Sequence, residues 1–445
     1  MQTVMPQNWL FLGSYKKQRQ HLLREETWNL LARLGEGGFD SPQAAGAFVI
    51  LLTQTHEPAP INWLMRGLDA SAPRVPHDKA EVLRTGTVVT LSQQGQLGNP
   101  DARISLGDVG SGTLLSVYAD SFLGLGTGDF EKFGRNFWEF SKGCPEGWSY
   151  LQCSPVSHGA FEGLSHLVAW DFSEMRIRGM DSLHRDRIHN QDQSGQQAWG
   201  KRGVSVALMR DLKASLFQGH RYDKSQAVLV PKYEEHLAPL WAYCSSPAFH
   251  DDVRQLEQAV IVANGTLVKV PFDLAHWTQV AAERYPNGLP KPYSDDPTQW
   301  IFHGHPQPST NALQIAVARL LGYTWPTETD GKMDLSDEAR AWVARSKALA
   351  SHADKDGIVC IPPAGREASA SDRLLNLLAD AYGTEWSNDV LAQLLTASDH
   401  AGKSVETWLR DKFFIQHCAL FGNRPFVWHI WDGLRDGFAA LVNYH

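Results

Sequence analysis

A glycine-rich stretch followed by an aromatic segment, residues 124–139, is the feature that most constrains how this chain can fold. Glycines at positions 124, 126 and 128 free the backbone to adopt positive φ angles and to expose amide N–H groups. Thr127 and Asp129 place short polar side chains between and after them. We predict a ligand-contacting loop in which Asp129 caps a helix over residues 130–140 that carries Arg135. A glycine-rich turn that only caps a helix is the alternative.

Residues 1–60 have the pattern of an α/β fragment. Apolar runs predict buried strands over Thr27–Leu34 and Ala47–Thr53, and Ser14 is placed to cap a helix before the first of them. Such a fragment is too small to close a doubly wound sheet by itself. Residues 61–140 are rich in Pro, Gly, Asp and Ser in their first part, which indicates a linker or an inserted excursion leading to the glycine-rich element.

Two further regions follow, so that the expected fold class is mixed α/β and α+β. Between residues 141 and 310, short apolar runs broken by Gly, Pro, Asn and Asp favour a β-rich region. From residue 311 to residue 445 helical periodicity returns, and capping residues predict helices over 311–321, 372–382 and 405–414.

Charge is distributed unevenly along the chain. The formal net charge is −8, yet residues 176–232 contain eleven Lys or Arg against five Asp. A basic surface on an acidic protein is typical of a nucleic-acid-binding region joined to something else. A charged helix face that only contacts solvent is the alternative.

Two clusters inside that basic segment combine glycine, aromatic and cationic residues. The first, residues 194–203, carries Trp199, Lys201 and Arg202, and we expect Trp199 to be exposed. The second, residues 217–224, carries Arg221 and continues to Lys232. Lys and Arg on flexible loops suit a phosphate backbone, and a guanidinium group can also read guanine in the major groove. A solvated turn is the alternative for both clusters.

Other chemistry finds little support. The five cysteines include no Cys-x-x-Cys pair, and the pairs His303/His305 and His417/Cys418 lack a carboxylate at a helpful spacing, so we expect no metal site. The segment 108–113, Asp-Val-Gly-Ser-Gly-Thr, superficially matches a loop that binds S-adenosylmethionine, but no acidic residue ends a second strand after it. No apolar run approaches the ~20 residues of a membrane helix and no signal peptide begins the chain, so we expect a cytoplasmic protein without a membrane partner.

Read in order, these segments resemble the second half of long adenine-specific (N6) DNA methyltransferases, those of type IIG restriction-modification enzymes and of the BREX and DISARM phage-defence systems. The resemblance is carried by ordered segments of the sequence: Val4–Leu12, Tyr15–Arg19, Leu34–Phe39, Leu114–Trp138, Gln197–Gly203, Gly219–Asp223, Leu229–Lys232 and Asn423–Trp428. It implies that residues 1–60 are the last strands and helix of a Rossmann-like methyltransferase domain, that 61–140 form a linker with the Thr-Gly-Asp junction, and that 141–310 with 311–445 form a region that recognises double-stranded DNA. The DNA contacts it implies are Thr127, Asp129, Arg135, Trp199, Lys201, Arg202, Arg221, Lys232 and Arg424.

The chain departs from that family at its catalytic motif. No Asn-Pro-Pro-Tyr or close variant occurs, and Ile361-Pro-Pro-Ala364 lacks both the amide and the aromatic ring. In the family that motif holds a flipped adenine. We therefore expect no catalytic residue and no cofactor site in this chain, with S-adenosylmethionine and the motif supplied by a catalytic chain or a missing N-terminal domain. A stand-alone DNA-specificity protein, and a small-molecule enzyme that uses the Gly124–Asp129 loop, are the alternatives.

Overall fold

The computed structural model describes residues 1–41, 43–44, 46–107, 112–434 and 437–445. The chain forms two compact units. The first unit comprises Met1–Ser121, Leu208–Leu212 and Leu229–Ala281, and the second comprises Phe122–Ala207, Lys213–Val228 and Ala282–His445. The strands Ala119–Leu123 and Gln226–Pro231 and the helix Leu274–Arg284 each contain a point where the chain passes from one unit to the other.

The first unit contains a mixed five-stranded sheet. Its strands lie in the order Gln2–Pro6, Val49–Thr55, Thr27–Gly35, Leu64–Asp69 and Val89–Ser92. Thr27–Gly35 and Leu64–Asp69 pair in parallel, and the other neighbours are antiparallel. The two strands predicted near residues 27 and 47 are confirmed, the second beginning two residues later than expected.

The interpretation of residues 61–140 as a linker is wrong for their first part. Leu64–Asp69 and Val89–Ser92 belong to the sheet, and helices Pro76–Thr85 and Gln93–Gly98 accompany them. These elements are short and bounded by turn residues, so none of them buries more than two side chains; Leu64–Asp69 buries Met65 and Leu68, and Val89–Ser92 buries none. A strand or helix with so few buried side chains has the amino-acid composition of a loop, and for that reason the sequence did not reveal these elements.

The core of the first unit forms between that sheet and the helix Lys16–Glu25, which follows a 3-10 turn and has no side-chain cap from Ser14. Trp9, Trp28, Leu31, Ile50 and Met65 are among its buried members. The unit also contains helices Leu237–Cys244, Pro247–Leu256 and most of Leu274–Arg284.

Most strands of the second unit lie in its first half and most of its helices in its second half. A sheet orders Arg176–Ile177, His166–Asp171, Trp148–Gln152 and Arg221–Tyr222, and Gly134–Asn136 also pairs with His166–Asp171. Gly203–Ala207 pairs antiparallel with Ala214–Phe217. A three-stranded sheet near the C-terminus orders Ile358–Cys360, Ala439–Asn443 and Val427–Trp431.

The helices of the second unit are Phe130–Phe133, Ser182–Arg187, Ala312–Leu320, Pro326–Thr329, Asp337–Ala348, Ala370–Tyr382, Asn388–Ala397, Val405–Asp411 and Phe413–Leu420. The predicted helix at 311–321 is confirmed within one residue. The helix predicted over 405–414 is two helices that meet at Lys412, whose backbone leaves helical geometry. The strands of the region 141–310 end at residue 231, and the helices Leu237–Cys244, Pro247–Leu256 and Leu274–Arg284 follow, so the β-rich expectation is wrong for its last part.

The fold is therefore mixed α/β with several separate sheets. In the part of the chain that the structure describes, no helix is both long enough and apolar enough to cross a lipid bilayer.

A buried guanidinium group joins three segments of the first unit. Arg19 is fully buried and donates hydrogen bonds to the carbonyl oxygens of Trp9, Leu12, Asp101 and Ala102 at 2.5–3.0 Å. Burial lowers its pKa to about 10, so the group stays charged at neutral pH. The planar fork of arginine reaches acceptors in several directions, which a lysine cannot do.

We expect Arg19→Met to lower the free energy of unfolding by more than about 3 kcal/mol, because it leaves several buried carbonyl groups without a donor. Arg19→Lys should lose a large part of the same stability. Urea unfolding followed by circular dichroism measures both. Arg24→Met on the exposed face of the same helix is the matched control, and equal losses at the two positions would contradict the role of the buried network.

Candidate functional site

The glycine-rich loop is packed against a neighbouring strand. The amide groups of Gly124, Leu125 and Gly126 donate to the carbonyl oxygens of Gln226, Tyr222 and Gln191 at 2.8–3.3 Å. The expectation that these glycines expose their amides is therefore wrong at 124–126. The reason for glycine at 124 is close approach, since a Cβ there would lie 2.0 Å from the carbonyl oxygen of Asp223.

Only Gly128 of the three glycines adopts a positive φ, at +67°. A Cβ at this position would lie 2.6 Å from Nε2 of His184, and the same ring nitrogen contacts the carbonyl oxygen of Thr127 at 3.1 Å. The Thr127–Asp129 turn therefore has its shape fixed by the helix Ser182–Arg187.

Asp129 caps a helix as predicted, and its carboxylate accepts a hydrogen bond from the Lys132 amide at 3.1 Å. The helix ends at Phe133, however, and the prediction of a helix over 130–140 is wrong. Gly134–Asn136 is a strand that pairs with His166–Asp171, and Asn136 then begins a 3-10 turn with Glu139. Pairing with a distant strand overrides the local helical pattern. The sequence alone does not show that pairing.

Arg135 and Arg424, both predicted DNA contacts, share the carboxylate of Glu139. Arg135 lies 3.8 Å from Glu139 and donates to the carbonyl oxygens of Glu131 and Gly134. Arg424 pairs with Glu131 and contacts Glu139 at 3.3 Å. These ion pairs raise the pKa of Arg424, with the hydrogen bond to Glu131 as the main cause. Because both groups are engaged within the unit, their contact with DNA stays a prediction.

Arg221 lies among aromatic rings, in an arrangement that we call the Arg221 cluster: Trp170, Phe172, Trp199 and Arg221. Its guanidinium carbon is 4.2 Å from the Trp170 ring centroid, 5.0 Å from that of Trp199 and 5.4 Å from that of Phe172. The two indoles meet edge to face at 5.3 Å. Cation–π contacts of this kind each contribute about 0.5–2 kcal/mol. The cluster fixes the plane of the guanidinium group.

The polar side of Arg221 is only partly satisfied. Nη1 donates to Oγ of Ser149 at 2.7 Å, whereas the buried Nε finds no hydrogen-bond partner in the described part of the chain. Among the described residues no carboxylate pairs with it. Burial lowers its pKa to about 10, so the group carries its full charge at neutral pH without a counter-ion.

Trp199 is half-buried, which corrects the expectation that it is exposed, because its ring packs against Trp170. Phe172 is 57% exposed instead and was not predicted. Trp170 and Ser149 lie on other strands and Phe172 lies in the turn that follows one of them, so no spacing in the sequence connects them to Arg221.

The turn that carries Lys201 and Arg202 lies beside the cluster. The amide of Gly200 donates to the carbonyl oxygen of Gly219 at 2.9 Å, and a Cβ at Gly219 would contact Gly200 at 2.9–3.0 Å. The two glycines therefore bring the turn against the segment that leads into Arg221. Lys201 and Arg202 are both exposed.

Cations without carboxylate partners are concentrated in this part of the second unit. Residues 176–207 and 213–228 hold nine Lys or Arg and four Asp. Arg176 and Arg185 lie within 4.0 Å of Glu174 and Asp192. Among the described residues no ion pair involves Arg178, Arg187, Lys201 or Lys224, and all four are exposed. These segments therefore carry several exposed cations that no carboxylate neutralises among the described residues.

Lys232 is placed in the first unit and is exposed. Its Nζ donates to the carbonyl oxygen of Ser116 at 2.7 Å and lies 4.0 Å from Asp120. The structure gives no reason to group it with the Arg221 cluster, and its contact with DNA stays a prediction.

The histidine pairs weighed as metal ligands have structural roles. The amide of His305 donates to Nδ1 of His303 at 3.0 Å, and the two ring nitrogens of His417 contact the Gln314 amide oxygen and the Val427 amide, both at 3.2 Å. No group of three potential metal ligands occurs among the described residues. Of the segment 108–113, residues 108–111 lie outside the described residues.

Comparison with known proteins gives weak structural similarities only. No protein-family model matches the sequence, and no protein of curated function matches it. Similar solved structures include the Type IIL restriction-modification enzyme MmeI in complex with DNA, with 10% identity over 90% of this chain and 49% of that chain and a TM-score of 0.39. They also include the type IIG restriction endonuclease BpuSI, with 10% identity over 87% of this chain and 48% of that chain and a TM-score of 0.25.

The nuclease-deletion mutant of the Type ISP enzyme LlaGI with a DNA substrate mimic matches at 8% identity over 63% of this chain and 34% of that chain, with a TM-score of 0.32. The chain spans about half the length of the first two of these structures. At these TM-scores the likeness carries no argument about fold or function.

His417 gives the second unit a measurable pH dependence. Burial lowers its pKa to about 3, and its hydrogen bonds require the neutral ring, with Nδ1–H donating to Gln314 and Nε2 accepting from Val427. In the unfolded chain its pKa is about 6.5, so below that pH the unfolded state takes up the proton first. The contribution of His417 to the free energy of unfolding is fully present above pH 6.5 and is lost progressively as the pH falls towards 3.

We therefore expect His417→Gln to flatten the dependence of unfolding free energy on pH by up to about 1.4 kcal/mol per pH unit between pH 6.5 and 4.5. Urea unfolding at several pH values measures the slope. His189→Asn is the control, because His189 is exposed and asparagine tolerates its φ of +53°. A slope in His417→Gln equal to that of the unmodified protein would contradict the assignment.

Proposed function

We propose that this chain is the DNA-recognising part of a site-specific adenine-N6 DNA methyltransferase of a restriction-modification or phage-defence system. The second unit binds duplex DNA through the Arg221 cluster and the neighbouring cations Lys201 and Arg202. The first unit completes the edge of the methyltransferase domain, as the resemblance of residues 1–60 implies. The observation that carries the proposal is the orientation of the Arg221 guanidinium group, which has no carboxylate partner among the described residues, next to the turn that carries the exposed Lys201.

The Arg221 cluster and the exposed Lys201 beside it have the chemistry of groups that bind nucleic acid. DNA releases bound counterions when Lys and Arg side chains neutralise its phosphates. This release supplies much of the affinity of DNA-binding proteins. A guanidinium group whose plane is already fixed loses little conformational entropy when it binds guanine or a phosphate. Arg221 has this property, and the exposed ring of Phe172 beside it offers a stacking surface.

The small-molecule enzyme that uses the Gly124–Asp129 loop loses its physical basis, because the amides of residues 124–126 are engaged with carbonyl groups of the chain. For the same reason this loop does not fit the phosphate or carboxylate groups of a cofactor. In our proposal S-adenosylmethionine and the Asn-Pro-Pro-Tyr motif belong to another polypeptide or domain.

The DNA contacts can be tested by salt dependence. We expect binding of a duplex, followed by fluorescence anisotropy, to weaken steeply with salt, and Lys201→Ala to reduce the slope of log K against log[salt] by about 0.9. Arg221→Lys keeps the charge but loses the planar stack. It should preserve the salt slope while reducing discrimination between sequences.

Lys412→Ala is the matched control, since Lys412 belongs to the same unit and pairs with Asp399 at 2.9 Å. It should leave both affinity and slope unchanged. If Lys201→Ala and Arg221→Ala fold normally and bind like the unmodified chain, the Arg221 cluster is not the interface.

Catalysis can be tested by reconstitution. We expect calorimetry to detect no uptake of S-adenosylmethionine by the isolated chain, and adenine methylation to require the catalytic polypeptide of the native host. Co-purification from that host identifies such a partner. A micromolar, stoichiometric complex of the isolated chain with the cofactor would contradict the proposal. DNA binding without any co-purifying catalytic chain would favour the stand-alone specificity protein.

A further inference from the structure

The first unit contains an open cleft of about 1010 Å³ to which the proposed function gives no role. It lies among Tyr118, the helices that carry Tyr243 and Asp252, and the segment Pro271–Thr278. None of its lining residues is Lys, Arg or His among those that the structure describes. The lining of the cleft therefore differs in charge from the cation-rich segments 176–207 and 213–228 of the second unit.

Aromatic rings form much of the wall. The Phe272 ring lies 5.6 Å from that of Tyr118 and 5.3 Å from that of Tyr243, and Trp277 lies 5.0 Å from Tyr243. Tyr118 and Trp277 are half-buried, so parts of both rings remain accessible. The π faces of such rings attract cations.

Two carboxylates complete the lining, and neither has a cationic partner among the described residues. Asp252 is half-buried and accepts a hydrogen bond from the Tyr243 hydroxyl at 2.6 Å, which fixes its orientation. Asp273 is exposed and accepts a hydrogen bond from the amide of His276 at 3.1 Å. Burial raises the pKa of Asp252, which reflects a carboxylate placed in a partly apolar site without a counter-ion.

We propose that this cleft binds an organic cation, an alkylammonium or guanidinium group, between the aromatic rings and the carboxylate of Asp252. A hard metal ion requires several oxygen ligands, and no metal-ligating group of three residues occurs in the described chain. An anion would meet two carboxylates. A neutral apolar ligand would leave Asp252 without a counter-charge, whereas a cation neutralises it and also gains from the rings.

The test uses choline and its neutral isostere 3,3-dimethyl-1-butanol as probes, with binding to the full chain measured by calorimetry. We expect choline to bind at least about tenfold more tightly than the isostere, because only the cation gains from the rings and the carboxylate. Trp277→Ala should weaken choline binding by about tenfold. Asp252→Asn should weaken choline without affecting the isostere.

Two controls address folding and non-specific effects. Asp40→Asn removes an exposed charge of the first unit that does not line the cleft, and Trp428→Ala removes an exposed indole of the second unit; both should leave choline binding unchanged. Trp277→Phe retains an aromatic ring, should keep the cleft folded and should give an intermediate affinity.

Equal affinity for choline and the neutral isostere, or no binding of choline at all, would overturn the proposal. So would binding that Trp277→Ala and Asp252→Asn leave intact. A peptide that contains trimethyl-lysine distinguishes the source of the cation: tighter binding than choline assigns the cleft to a protein side chain, and equal or weaker binding assigns it to a free amine. DNA binding is measured separately, so this proposal and the proposed function fail independently.

Discussion

The close approach of two backbone segments organises the second unit. Residues 124–126 lie so near Tyr222 and Asp223 that a Cβ at Gly124 would overlap the carbonyl oxygen of Asp223. Hydrogen bonds from the amide of Leu125 to Tyr222 and from the amide of Lys224 to Leu125 join the segments on both sides of that contact. The Thr127–Asp129 turn and the strand that carries Arg221 therefore have their relative positions set by main chain, which gives this pairing more rigidity than side-chain contacts alone would give.

Arg221 illustrates how burial and charge are balanced at such a position. Removal of water from the guanidinium group lowers its pKa to about 10, but two indoles and a serine hydroxyl offset part of that cost. No carboxylate neutralises the group in the described structure, so its attraction for anions remains. Arg424 is the opposite case, because its guanidinium group forms ion pairs with two glutamates. Two arginines that look equivalent in the sequence thus differ in how much charge they offer to a ligand.

The sequence predicted elements whose signal is local. The strand at Thr27–Gly35, the helix at Ala312–Leu320 and the cap at Asp129 each follow from a continuous apolar pattern or from a capping residue. It failed where distant pairing decides the outcome, as for Gly134–Asn136, whose partner strand begins at His166. The contact between Arg221 and Trp199 was not predicted. Arg221 and Trp199 were identified from composition, but Trp170, Phe172 and Ser149 meet them only through the order of strands in the sheet.

Local charge compensation explains why net charge is a poor guide to partners for this chain. The net charge of −8 suggests a protein that avoids polyanions, and the count over residues 176–232 suggests the reverse. Neither number separates a cation that pairs with a carboxylate, such as Arg185 with Asp192, from one such as Lys201 that pairs with none in the described chain. The same distinction applies to acids, since Asp101 pairs with Lys269 whereas Asp252 has no cationic partner within the described ranges. What attracts a charged ligand is the charge left uncompensated at one place in the fold, and only the three-dimensional arrangement determines that remainder.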